Sequence, residues 1–67
     1  MSYQKTKMIG KYRVSIIYIG DKTFLTIRDI GKRLVFESSN ENFIKAYGKI
    51  VTVKDVKYLV RTYGRIN

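Results

Sequence analysis

The chain has no cysteine, no histidine, no proline and no tryptophan among its 67 residues, and only five acids. Without cysteine there is no disulfide staple and no thiolate nucleophile. Without cysteine and histidine together, zinc fingers and zinc ribbons are excluded, and so is the commonest general base. The five carboxylates are scattered, and no pair is spaced to clamp a metal. Neither G-x-x-x-x-G-K-[ST] nor G-x-G-x-x-G occurs, so the two common phosphate-cradling loops are missing. Six tyrosines are present, but no activating constellation surrounds any of them. A non-catalytic protein without cofactor or metal is expected. The longest apolar run, Ser15-Ile16-Ile17-Tyr18-Ile19, is far short of the ~20 residues that span a bilayer. The first residues lack the apolar stretch of a secretory signal. A cytoplasmic protein with no membrane attachment is therefore expected, nucleoid-associated if it binds DNA.

What the chain has in excess is positive charge: 14 Lys and Arg against the five acids, a formal net of +9. That charge is unevenly placed. Met1 to Arg13 carries Lys5, Lys7, Lys11 and Arg13 with no acid. From Val14 to Glu41, Lys22, Arg28, Lys32 and Arg33 are balanced by Asp21, Asp29, Glu37 and Glu41. Asn42 to Asn67 carries Lys45, Lys49, Lys54, Lys57, Arg61 and Arg65 against Asp55 alone. Two basic flanks around a neutral middle suggest where a polyanion would be met.

Glycines at 10, 20, 31, 48 and 64 punctuate the sequence. The segment between Gly10 and Gly20 is rich in β-branched and aromatic residues and predicts a strand. Gly20-Asp21 or Asp21-Lys22 can make the tight turn, and glycine at the first central position suits a type II′ hairpin. Thr23 to Ile30 predicts a second strand, Gly31-Lys32 repeats the turn chemistry, and Arg33 to Glu37 predicts a third, shorter strand. The pattern then changes to helix. Ser38-Ser39-Asn40 forms an N-cap cluster ahead of a short helix over Asn42 to Tyr47, with Gly48 placed to close it. Thr52-Val-Lys-Asp55 reads as a capping box with Asp in the place of Glu. Val53, Val56, Leu59, Val60 and Tyr63 recur at helical spacing, and Gly64 supplies a stop, so a helix is expected over 53–63. The expected architecture is one α+β domain, 1–67. A three-stranded antiparallel meander (12–37) precedes two helices (40–64) packed on one sheet face, giving the order β-β-β-α-α. Residues 1–10 read as a flexible basic arm, with Met8-Ile9 the alternative start of a fourth, edge strand.

Three surfaces carry candidate binding residues. At 100° per residue, Lys54, Lys57 and Arg61 fall within about 60° of one another on the last helix, with Tyr58 beside them and Arg65 just beyond. Such a face can lie along a phosphate backbone. It is also the ordinary composition of a solvated helix surface. The N-terminal arm adds Lys5, Lys7 and Lys11, as basic arms do in several DNA-binding folds, or simply keeps the chain soluble. The third surface is a sheet face. Period-2 alternation assigns Val14, Ile16, Tyr18, Leu25, Ile27, Leu34 and Phe36 to the core. It leaves Arg13, Ser15, Ile17, Phe24, Thr26, Arg28, Arg33, Val35 and Glu37 on the opposite face.

A three-stranded sheet backed by a helix is similar in element order to AP2 domains and to the arm-binding domains of tyrosine integrases, which use the sheet to bind DNA. The likeness extends to element order alone, since no family motif is present. It implies contacts from Arg13, Arg28 and Arg33. The neutral middle of the chain argues instead for the last helix and the N-terminal residues. The expected function is nucleic-acid binding, DNA favoured over RNA, in an architectural or regulatory role. The alternative is an interaction module, such as a virus-encoded inhibitor or a small subunit, whose exposed sheet face meets an acidic protein or a second copy of the chain.

Overall fold

The residues expected as a basic arm instead form a strand. The computed structural model of the chain describes residues 2–63, and in it β1 (Ser2–Ile9) pairs antiparallel with β2 (Tyr12–Ile19) along its whole length, from Ser2 opposite Ile19 to Ile9 opposite Tyr12. The sheet continues through β3 (Lys22–Arg28) and β4 (Leu34–Ser38) in the order β1-β2-β3-β4. It therefore has four strands rather than three. Lysine and glutamine have poor strand propensity, which hid β1 in the sequence, but an edge strand tolerates and even favours lysine. Tyr3, Lys5, Lys7 and Ile9 lie on one side of it, and Gln4, Thr6 and Met8 on the other.

Two tight turns set the register. Gly10-Lys11 joins β1 to β2, and Gly20-Asp21 joins β2 to β3. Gly10 has φ +60° and Gly20 φ +63°, while the second residue of each turn stays at negative φ, as a type II′ turn requires. The β3–β4 connection departs from the expected Gly-X turn. There the positive φ falls on Lys32 (66°), not on Gly31. Asp29 organises this loop: its Oδ1 accepts from the backbone N–H of Gly31 (2.9 Å) and of Arg33 (3.0 Å).

A bulge on β4 alters the expected facing. Ile27 lies opposite Phe36 but Arg28 lies opposite Leu34, which leaves Val35 without a partner. An inserted residue reverses the alternation beyond it. Leu34, expected in the core, is thus paired with open-face Arg28, while Val35, expected on the open face, packs against the core cluster. Arg33 precedes β4 and is not part of the sheet.

After β4 come α1 (Glu41–Ala46), a 3₁₀ turn (Tyr47–Lys49) and α2 (Val53–Tyr63). The Asn40 side chain caps α1, with its Oδ1 accepting from the Asn42 N–H at 2.8 Å. Gly48 does not end this helix in a left-handed conformation as expected; it sits inside the 3₁₀ turn that follows. The helix over 53–63 forms as expected, and Gly64 lies outside the described residues. Val56 and Leu59 of α2 join Ile9, Val14, Leu25, Ile27, Phe36 and Ile50 in one buried cluster. Burial of each such side chain stabilises by about 1.5–3 kcal/mol. An edge-to-face aromatic chain extends the contact, from Phe36 to Phe43 (5.4 Å) and from Phe43 to Tyr63 (4.9 Å).

Gly10 ties the first hairpin to α2. A Cβ there would lie 2.5 Å from Val53 Cγ2, whereas one on Gly20 would meet nothing within 4 Å. Gly10→Ala combines left-handed strain with a clash, and we expect it to destabilise by about 2–4 kcal/mol in urea unfolding. Gly20→Ala carries the strain alone and is expected to cost about 1–2 kcal/mol. Equal losses would show that the Gly10–Val53 approach does not constrain the fold.

Candidate nucleic-acid interface

The capping box at 52–55 sets where α2 begins and what its first turn does with charge. Asp55 Oδ2 accepts from the backbone N–H of Val51 (3.1 Å) and of Thr52 (3.0 Å), and the Asp55 N–H donates to Thr52 Oγ1 (3.3 Å). The first two bonds, with the Thr52 hydroxyl after them, hold the Asp55 carboxyl below its ordinary pKa. This is the one acid after Glu41 in the chain, and it is turned to the backbone amides at the helix N-terminus, where its charge also suits the helix dipole.

With Val56 and Leu59 buried against the sheet, Lys54, Lys57 and Arg61 are exposed on the outward side of α2. Tyr58 beside them is 62% exposed, and its ring stands edge-to-face to Tyr63 at 6.3 Å. Lys54 to Arg61 covers eight residues, a rise of about 10 Å along the helix. Duplex DNA presents about one charge per 1.7 Å of its axis, so this face matches several phosphates. The one ion pair among the described residues is Arg33 with Asp29 (3.4 Å), so the α2 cations are not neutralised by described acids. Arg65 lies outside the described residues.

The N-terminal lysines separate into different roles. Lys11 is exposed in the turn that Gly10 anchors against Val53, at the start of α2. Lys5 is exposed on the helix-side face of β1. Lys7, on the same side, is already engaged. Its Nζ donates to the Tyr47 carbonyl at 2.6 Å and stands 4.3 Å from the Tyr47 ring centroid. It fastens the edge strand to the turn between the helices. The two basic ends of the chain thus meet at Gly10–Val53 and at Lys7–Tyr47.

No described helix covers the other side of the sheet. Across it runs a row of Thr6, Ser15, Thr26 and Glu37, with a Thr6–Ser15 hydroxyl contact of 3.0 Å. Ser15 (4% exposed) and Thr26 (5%) are buried between two flanking rows. One is Met8, Arg13, Arg28 and Leu34; the other is Gln4, Ile17 and Phe24. Arg13 and Arg28 are exposed and directly opposed, and Arg28 Nη1 donates to the Lys32 carbonyl at 2.9 Å. Arg33 is 74% exposed in the β3–β4 loop, paired with Asp29, and does not join them. The sheet face therefore gathers two of its three expected arginines.

Sequence reasoning missed one arrangement. Tyr3 and Tyr18 are opposite one another on β1 and β2, and their rings stack with centroids 5.7 Å apart. Recognising β1 as a strand is the signal that would have found it. A shallow cavity of about 720 Å³ lies nearby, between the start of β3 and α1, lined by Asp21, Thr23, Glu41, Ile44 and Lys45 among others. Its charges are mixed, so it does not select an anion. No group of three or more potential metal ligands occurs among the described residues. No described helix is long and apolar enough to cross a membrane. No family model, curated protein or solved structure matches the chain.

The Asp55 bonds generate a pH signature. A carboxyl held below its ordinary pKa in the folded state adds stability that is complete above the unfolded value and is lost as pH falls through the folded one. Asp55→Asn keeps an acceptor but loses the charge. The thermal midpoint of wild type is expected to exceed that of the variant near neutral pH, with the gap closing in the acid range below the ordinary carboxylate pKa. A gap that stays constant down to strongly acid pH would contradict the charge-dependent cap.

Proposed function

We propose that the protein is a small non-catalytic nucleic-acid-binding module, with DNA favoured over RNA, acting as an architectural or regulatory factor. The outward face of α2 is its phosphate-binding surface. Lys54, Lys57 and Arg61 set it against the backbone, Tyr58 adds a hydrogen bond or stacking contact, and Lys11 extends the face from the adjoining turn. The supporting observation is that these cations share one exposed face, and the only nearby carboxylate among the described residues is held by backbone amides. The convergence of both basic ends at Gly10–Val53 adds to the reading. Lys7 is left out of it, because its ammonium is spent on Tyr47.

A second reading rests on the open sheet face. Met8 and Ile19 are exposed there and Ile17 and Phe24 half-buried, beside Arg13, Arg28 and Lys22. That mixture suits an acidic protein partner. A second copy would set arginine against arginine in many orientations.

Salt titration separates the two. Contact with about five phosphates, through Lys11, Lys54, Lys57, Arg61 and Arg65, gives a slope of log K against log salt near −4.5 on duplex DNA. Lys57→Glu with Arg61→Glu is expected to abolish binding with the urea midpoint nearly unchanged. A flat salt response, or undiminished affinity in the double variant, would sink the α2 assignment. Capture of one acidic protein by that same variant after nuclease treatment would favour the sheet face.

A further inference from the structure

The Tyr3–Tyr18 pair is a stack with one end left open. Its planes are inclined by 29°, near enough to parallel to count as stacked. Tyr18 is followed across the sheet by Thr23 on β3, so the aromatic stack ends there. On the other side no described strand follows, because β1 is the edge of the described sheet, and Tyr3 is 57% exposed. A planar ring set against the outer face of Tyr3 would become the third member of the stack.

The charge around this position is directional. Lys5 is two residues along on the same face of β1, about 6.7 Å away. It is exposed, and β1 and β2 contain no acid at all. The acids of this end of the sheet, Asp21 and Glu41, line the cavity beyond Thr23, on the far side of Tyr18. A phosphate attached to a ring on Tyr3 is therefore drawn toward Lys5, while the cavity beyond Tyr18, with Lys22 and Lys45 set against its two acids, gives no competing net attraction. An exposed aromatic with an open face, next to an unneutralised cation, is the pairing by which proteins take single-stranded nucleic acid: the base stacks and the cation holds the backbone. Paired bases are already stacked in a duplex and cannot reach such a platform.

We propose that the β1 edge is a binding site for an unpaired base, so that the protein takes single-stranded nucleic acid through Tyr3, stacked on Tyr18, with Lys5 on the adjoining phosphate. The inference rests on the nucleic-acid reading of the chain but uses residues separate from α2. Stacking on Tyr3 is indifferent to base identity, since every base has a π-face.

The test compares a short oligothymidylate with a duplex of the same length at one salt concentration, for wild type, Tyr3→Leu and Tyr3→Phe, with the urea midpoint of each. Tyr3→Leu is expected to weaken oligothymidylate binding by about 5- to 150-fold, the loss that goes with one stacking contact, and to leave duplex binding unchanged. Tyr3→Phe keeps the ring and is expected to bind both like wild type. Unchanged oligothymidylate affinity in Tyr3→Leu, with duplex binding intact, overturns the platform and leaves the α2 reading standing. A parallel loss for both probes together with a lower urea midpoint makes the stack a structural fastening of β1 and also overturns it. Loss in Tyr3→Phe equal to that in Tyr3→Leu assigns the effect to the hydroxyl rather than the ring and also overturns the stacking platform. Failure of wild type to bind either probe removes the nucleic-acid reading and the platform with it.

Discussion

Val56 and Leu59 of α2, pressed into the cluster of Val14, Leu25, Ile27 and Phe36, form the contact on which the rest of the molecule depends. A chain this short, with no cysteine to form a disulfide, has little apolar surface for a core. It concentrates that surface on one side of a four-stranded sheet and closes it with two short helices. The orientation of α2 follows. Its apolar stripe faces the sheet, so the residues between the apolar positions, Lys54, Lys57, Tyr58 and Arg61, face away from it. The binding surface proposed here is thus the reverse side of the core contact.

The same constraint explains how the basic ends come together. The first hairpin needs a glycine at position 10 both for its turn and for the approach of Val53, and that approach places Lys11 at the head of α2. Lys7 supplies the second fastening by giving its ammonium to the Tyr47 carbonyl and ring. Of the two nearest lysines on that side of β1, one is structural and one, Lys5, is left exposed. Asp55 completes the pattern, since its carboxylate starts the helix rather than neutralising it.

Much of this was legible from residue order. The α2 boundaries follow from Thr52, Asp55 and a strict apolar period, and strands β2 and β3 from their β-branched and aromatic content. The central sheet core, Val14, Ile16, Leu25, Ile27 and Phe36, follows from alternation. Three features did not follow, each for a physical reason. β1 has lysine and glutamine where propensity argues against a strand, and its pairing is fixed by β2 rather than by its own sequence. The Val35 bulge inverts two residues because alternation cannot register an insertion. The left-handed residue of the β3–β4 loop is Lys32 rather than the glycine beside it, because Asp29 organises the backbone there. Of the candidate site, the α2 stripe could be read from the sequence. The division of labour among Lys5, Lys7 and Lys11, and the Tyr3–Tyr18 stack, depended on knowing that the first residues form a strand.

The central claim is that the outward face of α2 meets phosphates. Amide chemical-shift mapping during titration with a short DNA duplex tests it most directly. The account predicts that the largest shifts fall on Lys11, Lys54, Lys57, Tyr58 and Arg61, with Met8, Ser15, Ile17, Phe24 and Thr26 on the open sheet face unmoved. Shifts concentrated on that sheet face, with α2 unmoved, would contradict it.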